Sequence, residues 1–352
     1  MISTEQRNLI REFRNFPLNE LALKWANKPS DERQFLLQQV QGFQKTKEKL
    51  PSWVEHELFF PPSIHLEQCS SERAANLKLD LFEGNTLADL TGGFGVDSTI
   101  AALHGKRVWH IEPNQNLQKI TQINAQLLNI EDHMRFFNGT AEHFLEKETP
   151  FFDSILIDPS RRDEHQRKMV GLGDCVPNVP KLLPQLATKT NHLVLKLSPM
   201  LDIHKAVEEL SHSVWHIKQI RVVSIKNECK ELIFKLVTTP TKNIALELWN
   251  QTFDSTIQSF NTIWPIHPIE FHYCASESFL YDPHTSIHKA QAYAPLAKHF
   301  KLQKIAPQTH IFCSKEIYTD FPGKTYRLVA IHPYKNKIFN GKANIIPRNF
   351  PD

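Results

Sequence analysis

The sequence predicts an α/β protein built on a doubly wound, mainly parallel sheet. A helical region precedes the sheet, and a small α+β unit follows it. Three observations carry this expectation. The chain alternates short apolar strand patterns with amphipathic helix patterns from Leu81 to about Pro240. Three of only 11 glycines fall within four positions, at Gly92, Gly93 and Gly95, directly after a strand pattern. The polar and charged residues that stand out all fall where strands end, which is where such sheets bind ligands. The expected boundaries are 1–80 for the helical region, 81–240 for the sheet domain and 241–352 for the C-terminal domain.

Within residues 1–80, Leu9, Ile10, Phe13 and Phe16 recur at helical spacing, and Leu18, Leu21 and Trp25 do so again after Pro17. Asp31 to Gln34 open a further helix with Phe35, Leu36, Val40 and Phe43 as its apolar stripe, ending before Pro51. Ser70 or Ser71 caps a helix through Ala75, close enough to the glycine run for its polar groups to reach a ligand, although a plain cap is the simpler role.

Thr86 to Leu90 read as a buried strand, and Gly92, Gly93 and Gly95 as a tight turn where a Cβ would obstruct a ligand. Asp97 and Ser98 suit the start of the next helix. A second strand, Lys106 to Ile111, ends at Glu112, where a carboxylate can accept hydrogen bonds from a ribose diol. Leu117 to Leu128 form an amphipathic helix; Met134 to Phe137 a third strand, followed by Gly139-Thr140-Ala141-Glu142; Asp153 to Asp158 the fourth; His192 to Leu197 the fifth. Val214–Ser224 and Leu232–Val237 read as a closing antiparallel pair. Lys196 is a charge inside a buried strand and needs a partner, for which Asp158 on the adjacent strand is the candidate.

Beyond Pro240, Trp249, Phe253, Phe260 and Trp264 precede an alternating strand, Ile269 to Tyr273. A helix from Ile287 to Phe300 and strands at Thr309–Ser314 and Lys324–Val329 complete the unit. Net charge is +3, but Lys289 to Asp352 carry eleven Lys/Arg against three acids, a balance of +8. That balance suits a polyanion, or else a solvated basic face. Five dispersed cysteines without a C-x-x-C pair point to reduced thiols in a cytoplasm, and the 18 scattered histidines to no metal centre. No stretch has the length and apolarity of a membrane span.

Asp89-Leu90-Thr91-Gly92-Gly93-Phe94-Gly95 resembles the first motif of the class I S-adenosylmethionine (SAM)-dependent methyltransferases, D-x-x-x-G-x-G. Asp158-Pro159-Ser160-Arg161 resembles the N/D-P-P-aromatic motif of amino-group methyltransferases, with the aromatic missing. With Val194-Leu195-Lys196-Leu197-Ser198-Pro199 and the tail around Tyr281-Asp282-Pro283 and Phe321-Pro322-Gly323, the chain resembles a family of bacterial methyltransferase-like proteins with a THUMP-like C-terminal domain. Its core is also distantly similar to the RNA cap guanine-N2 methyltransferases.

The resemblance implies a Rossmann-like class I methyltransferase sheet, a ferredoxin-like and THUMP-like C-terminal domain, SAM as cofactor and RNA as substrate, held by the basic C-terminal domain. It implies that Asp89, Thr91, Gly92, Gly93 and Gly95 line the methionine side. Glu112 would hold the ribose, Ala141 and Glu142 would flank the adenine, and Asp158 would sit at the methyl-transfer point. Asp158 would accept an N–H hydrogen bond or act as general base. Arg161, with Arg162, would clamp a phosphate or carboxylate or else be solvated. Lys196 would be catalytic or a structural partner of Asp158. The alternatives are a methyltransferase of a protein or small molecule, which the missing aromatic favours, and a non-catalytic RNA-binding protein that retains the fold.

Overall fold

The computed structural model describes residues 3–147, 149–160, 171–274 and 278–332. The chain divides into two compact units. The first comprises residues 1–197, 204–217 and 235–240; the second comprises 198–203, 218–234 and 241–352.

The first unit opens with six helices: α1 (Thr4–Phe13), α2 (Leu18–Lys24), α3 (Ser30–Thr46), α4 (Pro51–Glu55), α5 (Ser63–Gln68) and α6 (Glu72–Asn76). Prolines set most of their starts. Pro17, Pro29 and Pro62 are N-caps and Pro51 is a first-turn residue, positions where the missing N–H has no intrahelical partner to lose. Phe13, Leu21, Trp25, Leu36 and Val40 form one apolar cluster. Phe43, Leu50, Trp53 and Leu66 join Phe94, Val96 and Ile100 in another, so these helices are packed onto the glycine turn.

The sheet elements follow: β1 (Thr86–Asp89), α7 (Val96–Leu103), β2 (Arg107–Ile111), α8 (Gln115–Leu127), β3 (Met134–Phe137), α9 (Ala141–Leu145), β4 (Ser154–Ile157), α10 (Val179–Leu186), β5 (His192–Leu197), α11 (Ile203–Ser211), β6 (His216–Ile225) and β7 (Glu228–Val237). Within the first unit the strand order runs β3-β2-β1-β4-β5. β2 pairs in parallel with β1 and β3, and β4 does so with β1 and β5. The chain steps outward from β1 to β3, then returns to the other side of β1 with β4. The crevice at this reversal is where open α/β sheets bind ligands. Lys226 and Asn227, both left-handed at φ 53° and 62°, form the two-residue turn joining β6 to β7, as a type I′ hairpin requires.

In the second unit β6 pairs in parallel with β8 (Ile244–Gln251), which pairs antiparallel with β9 (Ile257–Trp264). The aromatic-rich stretch around Trp249 and Phe260 is therefore strand, with alternate residues such as Leu246, Leu248 and Phe260 buried. A four-stranded antiparallel sheet, ordered β11-β12-β10-β13, contains β10 (Phe279–Pro283), β11 (Gln303–Lys304), β12 (Phe312–Ser314) and β13 (Gly323–Arg327). Helices α12 (Thr285–Ala290) and α13 (Tyr293–His299) lie between β10 and β11 in sequence.

Three expectations fail in this unit. Ile269 to Tyr273 form no strand; only Tyr273 makes an isolated bridge, to Lys304, and apart from the half-buried Phe271 the residues of the run are exposed, so its alternation marks no buried face. The helix expected over 287–300 breaks at Gln291, which is left-handed at φ 52°. Pro295 explains the break, because its ring would collide with the carbonyl of residue 291 in a continuous helix. Finally, Cys274 and Cys313 form a disulfide, against the expectation of reduced thiols. They are 39 residues apart in sequence, but the Cys274 N–H bonds Lys304 while Cys313 pairs with Gln303, so β11 brings them together.

Candidate active site

The loop between β1 and α7 is fastened to both neighbouring strands. The Leu90 N–H donates to the Leu156 carbonyl at 3.0 Å and the Gly92 N–H to that of Ile111 at 2.8 Å. The Thr91 hydroxyl accepts the Asp158 N–H at 2.6 Å, tying the loop to the exit of β4.

The three glycines have different reasons to be there. A Cβ on Gly92 would lie 2.2 Å from the His110 ring. On Gly95, at φ +78°, it would lie 2.4 Å from Thr121. Both are forced by the protein's own packing. Gly93 is left-handed at φ +54°, yet its nearest foreign atom would be 3.9 Å away. Of the three glycines only Gly93 has an open side, and its N–H donates to Glu112 Oε2 at 2.8 Å.

Glu112, one residue past β2, is buried at the strand tip. Its Oε1 accepts the Asn114 N–H at 2.8 Å, so each oxygen holds one backbone donor. Burial pushes its carboxyl above the ordinary range, against the pull of those two hydrogen bonds. Each oxygen keeps a further lone pair.

Asp89, Ser98 and His110 form a chain under the turn. Asp89 Oδ2 accepts the Ser98 hydroxyl at 2.6 Å and its Oδ1 the Thr91 N–H at 3.2 Å. The same hydroxyl lies 3.1 Å from His110 Nδ1. His110 Nε2 is buried without a hydrogen-bond partner among the described residues. Burial pushes Asp89 up to about 7 and His110 down to about 4. A second cluster braces the start of α7: the wholly buried Lys78 pairs with Asp97 at 2.8 Å, and Ser70 donates to Asp97 Oδ2 at 2.6 Å. Burial works to raise Asp97, but Lys78 and Lys196 outweigh it and hold the carboxyl below its usual range. Asp97 and Ser98 therefore do not cap α7. Its N-cap is Gly95, and both side chains turn into these networks instead. Ser71 is the cap of α6, which frees Ser70 for Asp97.

At the ends of β4 and β5, Lys196 donates to Asp158 in an ion pair. The register Ile157↔Leu195 brings the two residues beyond it side by side, as the buried lysine required. Ala141 is buried at the first turn of α9, while Glu142 beside it is exposed. Thus β1, β2, β4 and β5 bring Asp89, Thr91, the glycines, Glu112, Asp158 and Lys196 to one edge of the sheet, next to α9. Arg161 and Arg162 lie outside the described residues. The reading of the sequence missed Ser98, His110 and Lys78. Of these, only Lys78 left a signal, a lone charge between Leu77 and Leu79.

Over 95% of its length the chain is similar to the crystal structure of a candidate methyltransferase from Porphyromonas gingivalis W83. The TM-score is 0.81, sequence identity is 25%, and 84% of that chain is covered. The fold is that of a class I methyltransferase. Residues 279–322 match the family of ferredoxin-like domains, the segment that contains β10, α12, α13, β11 and β12. About half the chain also overlaps a candidate RNA methyltransferase from Pyrococcus horikoshii (19% identity, 52% of this chain and 93% of that one, TM-score 0.39). TrmN from Thermus thermophilus overlaps to a similar extent (16% identity, 50% and 51%, TM-score 0.39). At those scores the two overlaps carry nothing about this chain's substrate. No curated protein matches the sequence. Among the described residues, no helix is long and apolar enough to cross a membrane.

Proposed function

We propose that this chain is a SAM-dependent methyltransferase whose acceptor is structured RNA. The observation that carries the methyltransferase reading is the open side of Gly93, with its N–H bonded to the anchored carboxylate of Glu112 at the switch point of this sheet. SAM suits that place. Backbone without a side chain is free on one side, and Glu112 retains acceptor capacity for a ribose diol while its orientation is fixed. In this reading Asp89, Thr91, Gly92, Gly93 and Gly95 shape the methionine side, and Ala141 and Glu142 border the adenine.

SAM would supply an electrophilic methyl group. The chain's own residues position the acceptor and handle its proton. As an acceptor nitrogen gains the methyl group, its N–H bond must break, and Asp158 stands to receive the proton or the hydrogen bond that precedes its loss. Lys196 orients the Asp158 carboxylate through their ion pair. RNA as acceptor is supported by the +8 balance over Lys289–Asp352, and reading the ferredoxin-like segment as THUMP-like belongs to this proposal. A protein or small-molecule acceptor is the second reading, favoured by Arg161 standing where a base-stacking aromatic would be.

The test is transfer of labelled methyl from SAM into a lysate of cells lacking the protein, with Asp158→Ala as control. Ribonuclease-sensitive label that the variant fails to deposit is the expected result. Protease-sensitive label would replace RNA with the second reading. SAM binding with no transfer to any fraction would sink the catalytic proposal.

A further inference from the structure

The N-terminal helices carry a charged cleft that the active site does not use. Arg7, Arg11 and Arg14 are spaced i, i+4, i+7 and so share one face at α1, Arg14 being its C-cap. Beneath them lie Phe43 of α3 and the Leu58–Phe60 segment. The Arg7 guanidinium stands 5.3 Å from the centre of the Phe59 ring and that of Arg14 stands 4.9 Å from Phe43. Lys47 adds a second cation over Phe43, at 5.3 Å. Arg11 grips Glu57 through two nitrogens, at 2.7 and 2.6 Å.

The charges in this cleft do not balance. Three arginines line it with one carboxylate, Glu57, and Arg11 takes that one. Among the described residues Arg7 and Arg14 enter no ion pair. Hydrogen bonding from Arg11 pulls the Glu57 carboxyl down, with smaller contributions from the charges of Arg14 and Arg7, so all three cations bear on a single acid. Glu57 itself is left-handed at φ 51°, an uncommon conformation for a residue with a side chain. Beside the cleft a recess of about 510 Å³ continues past Arg7 and Phe59, walled by Phe35, Ile120 and Leu127.

A guanidinium held near an aromatic ring by cation–π attraction keeps N–H groups for other partners. Its planar fork is then held ready for two parallel bonds to a phosphate, at a lower cost in side-chain order than for a free arginine. We propose that the Arg7–Arg14 face of α1 binds the phosphate backbone of the RNA acceptor. This is a contact additional to the basic C-terminal segment, and it rests on the RNA reading above. Phe43 also belongs to the core cluster of Phe94 and Val96, so the face is built on the same packing as the glycine turn.

The experiment is fluorescence anisotropy of a labelled RNA hairpin with a single-stranded tail, titrated with the full chain between about 50 and about 200 mM salt. The double variant Arg7→Gln/Arg14→Gln should bind at least about tenfold more weakly at low salt. The slope of log K against log salt should fall by about 1.4 to 1.8, the equivalent of two phosphate contacts. Glu57→Gln releases Arg11 and should bind more tightly, with a steeper slope, a gain that damage to the fold does not produce. SAM titration of each variant checks that the sheet is intact. Unchanged affinity and slope in the double variant overturn the proposal while leaving RNA as acceptor. Weaker binding at an unchanged slope also overturns it, because the arginines then act through the fold. A wild-type chain that does not bind the hairpin removes the RNA reading itself, and this contact with it.

Discussion

The two sides of the candidate site are built differently. At the tips of β1 and β2 the polar groups are held by several contacts each: Asp89 by Ser98 and Thr91, Glu112 by two backbone N–H groups, Asp97 by Lys78 and Ser70. At the tips of β4 and β5 the Asp158 carboxylate has Lys196 as its ion-pair partner, and its side chain is 37% exposed. One side is preorganised before any ligand arrives. On the other, solvent reaches the Asp158 carboxylate while its partner Lys196 is largely buried. Removing a charge should therefore cost stability on the first side and turnover on the second.

Lys78→Met is the severest form of that comparison. The lysine is fully buried, and its loss leaves Asp97 charged in the interior, which costs about 3–5 kcal/mol when a buried pair is broken from one side. Lys196→Met leaves an Asp158 that water can reach but also removes a cation that acts on Asp97, so stability should fall by less than in Lys78→Met, while methyl transfer falls at least about tenfold. Chemical denaturation beside a transfer assay measures both. Equal losses of stability would show that the two sides are not built differently.

The Asp89–Ser98–His110 chain should be nearly silent to pH in the wild type and loud in its variants. Asp89 has its folded value raised from 3.8 to about 7, so the stability it contributes is present at low pH and lost as pH rises toward 7. His110 has its folded value lowered from 6.5 to about 4, so its contribution is present above 6.5 and lost as pH falls toward 4. Between those limits the folded state keeps the proton on Asp89, the unfolded state keeps one on His110, and the count is unchanged. Relative to wild type, His110→Gln should lose about 3 kcal/mol as pH rises from about 4 to about 6.5, and Asp89→Asn should lose a similar amount in the opposite direction. Asp97, Asp158 and Lys78 stand near the chain and are common to all three proteins. Parallel stability profiles in wild type and variants would mean the two groups do not offset each other.

What could be read from the sequence follows the same division between local and distant. The run from Asp89 to Gly95 and the acid at Glu112 were legible because strand, turn and helix are fixed by neighbours in the chain. The Asp158–Lys196 pair was legible for a different reason: a lysine inside an apolar strand has to be answered from the next strand. Lys78 and Asp97 are 19 positions apart, and His110 occupies an inward strand position where an apolar residue would have looked the same. Their roles arise only once α6, α7 and β2 are packed. Strands β8 and β9 were hidden for the same reason: their aromatics marked burial without saying what they would pair with.

The glycines sharpen this most finely, because a pattern of three similar residues hides two causes. Gly92→Ala and Gly95→Ala drive a methyl group into His110 and Thr121, and each should lose about 1–3 kcal/mol as overpacked positions do. Gly95 bears an added backbone cost at φ +78°. Gly93→Ala meets only the Thr91 carbonyl oxygen, at an ordinary contact distance of 3.9 Å, and should lose only the left-handed backbone term, about 1 kcal/mol. Its methyl group nevertheless projects into the open side of the turn. SAM affinity measured by calorimetry should therefore fall most, for the stability lost, in Gly93→Ala. If its affinity instead tracks stability along the same line as the other two, the open side of Gly93 is not where the cofactor lies.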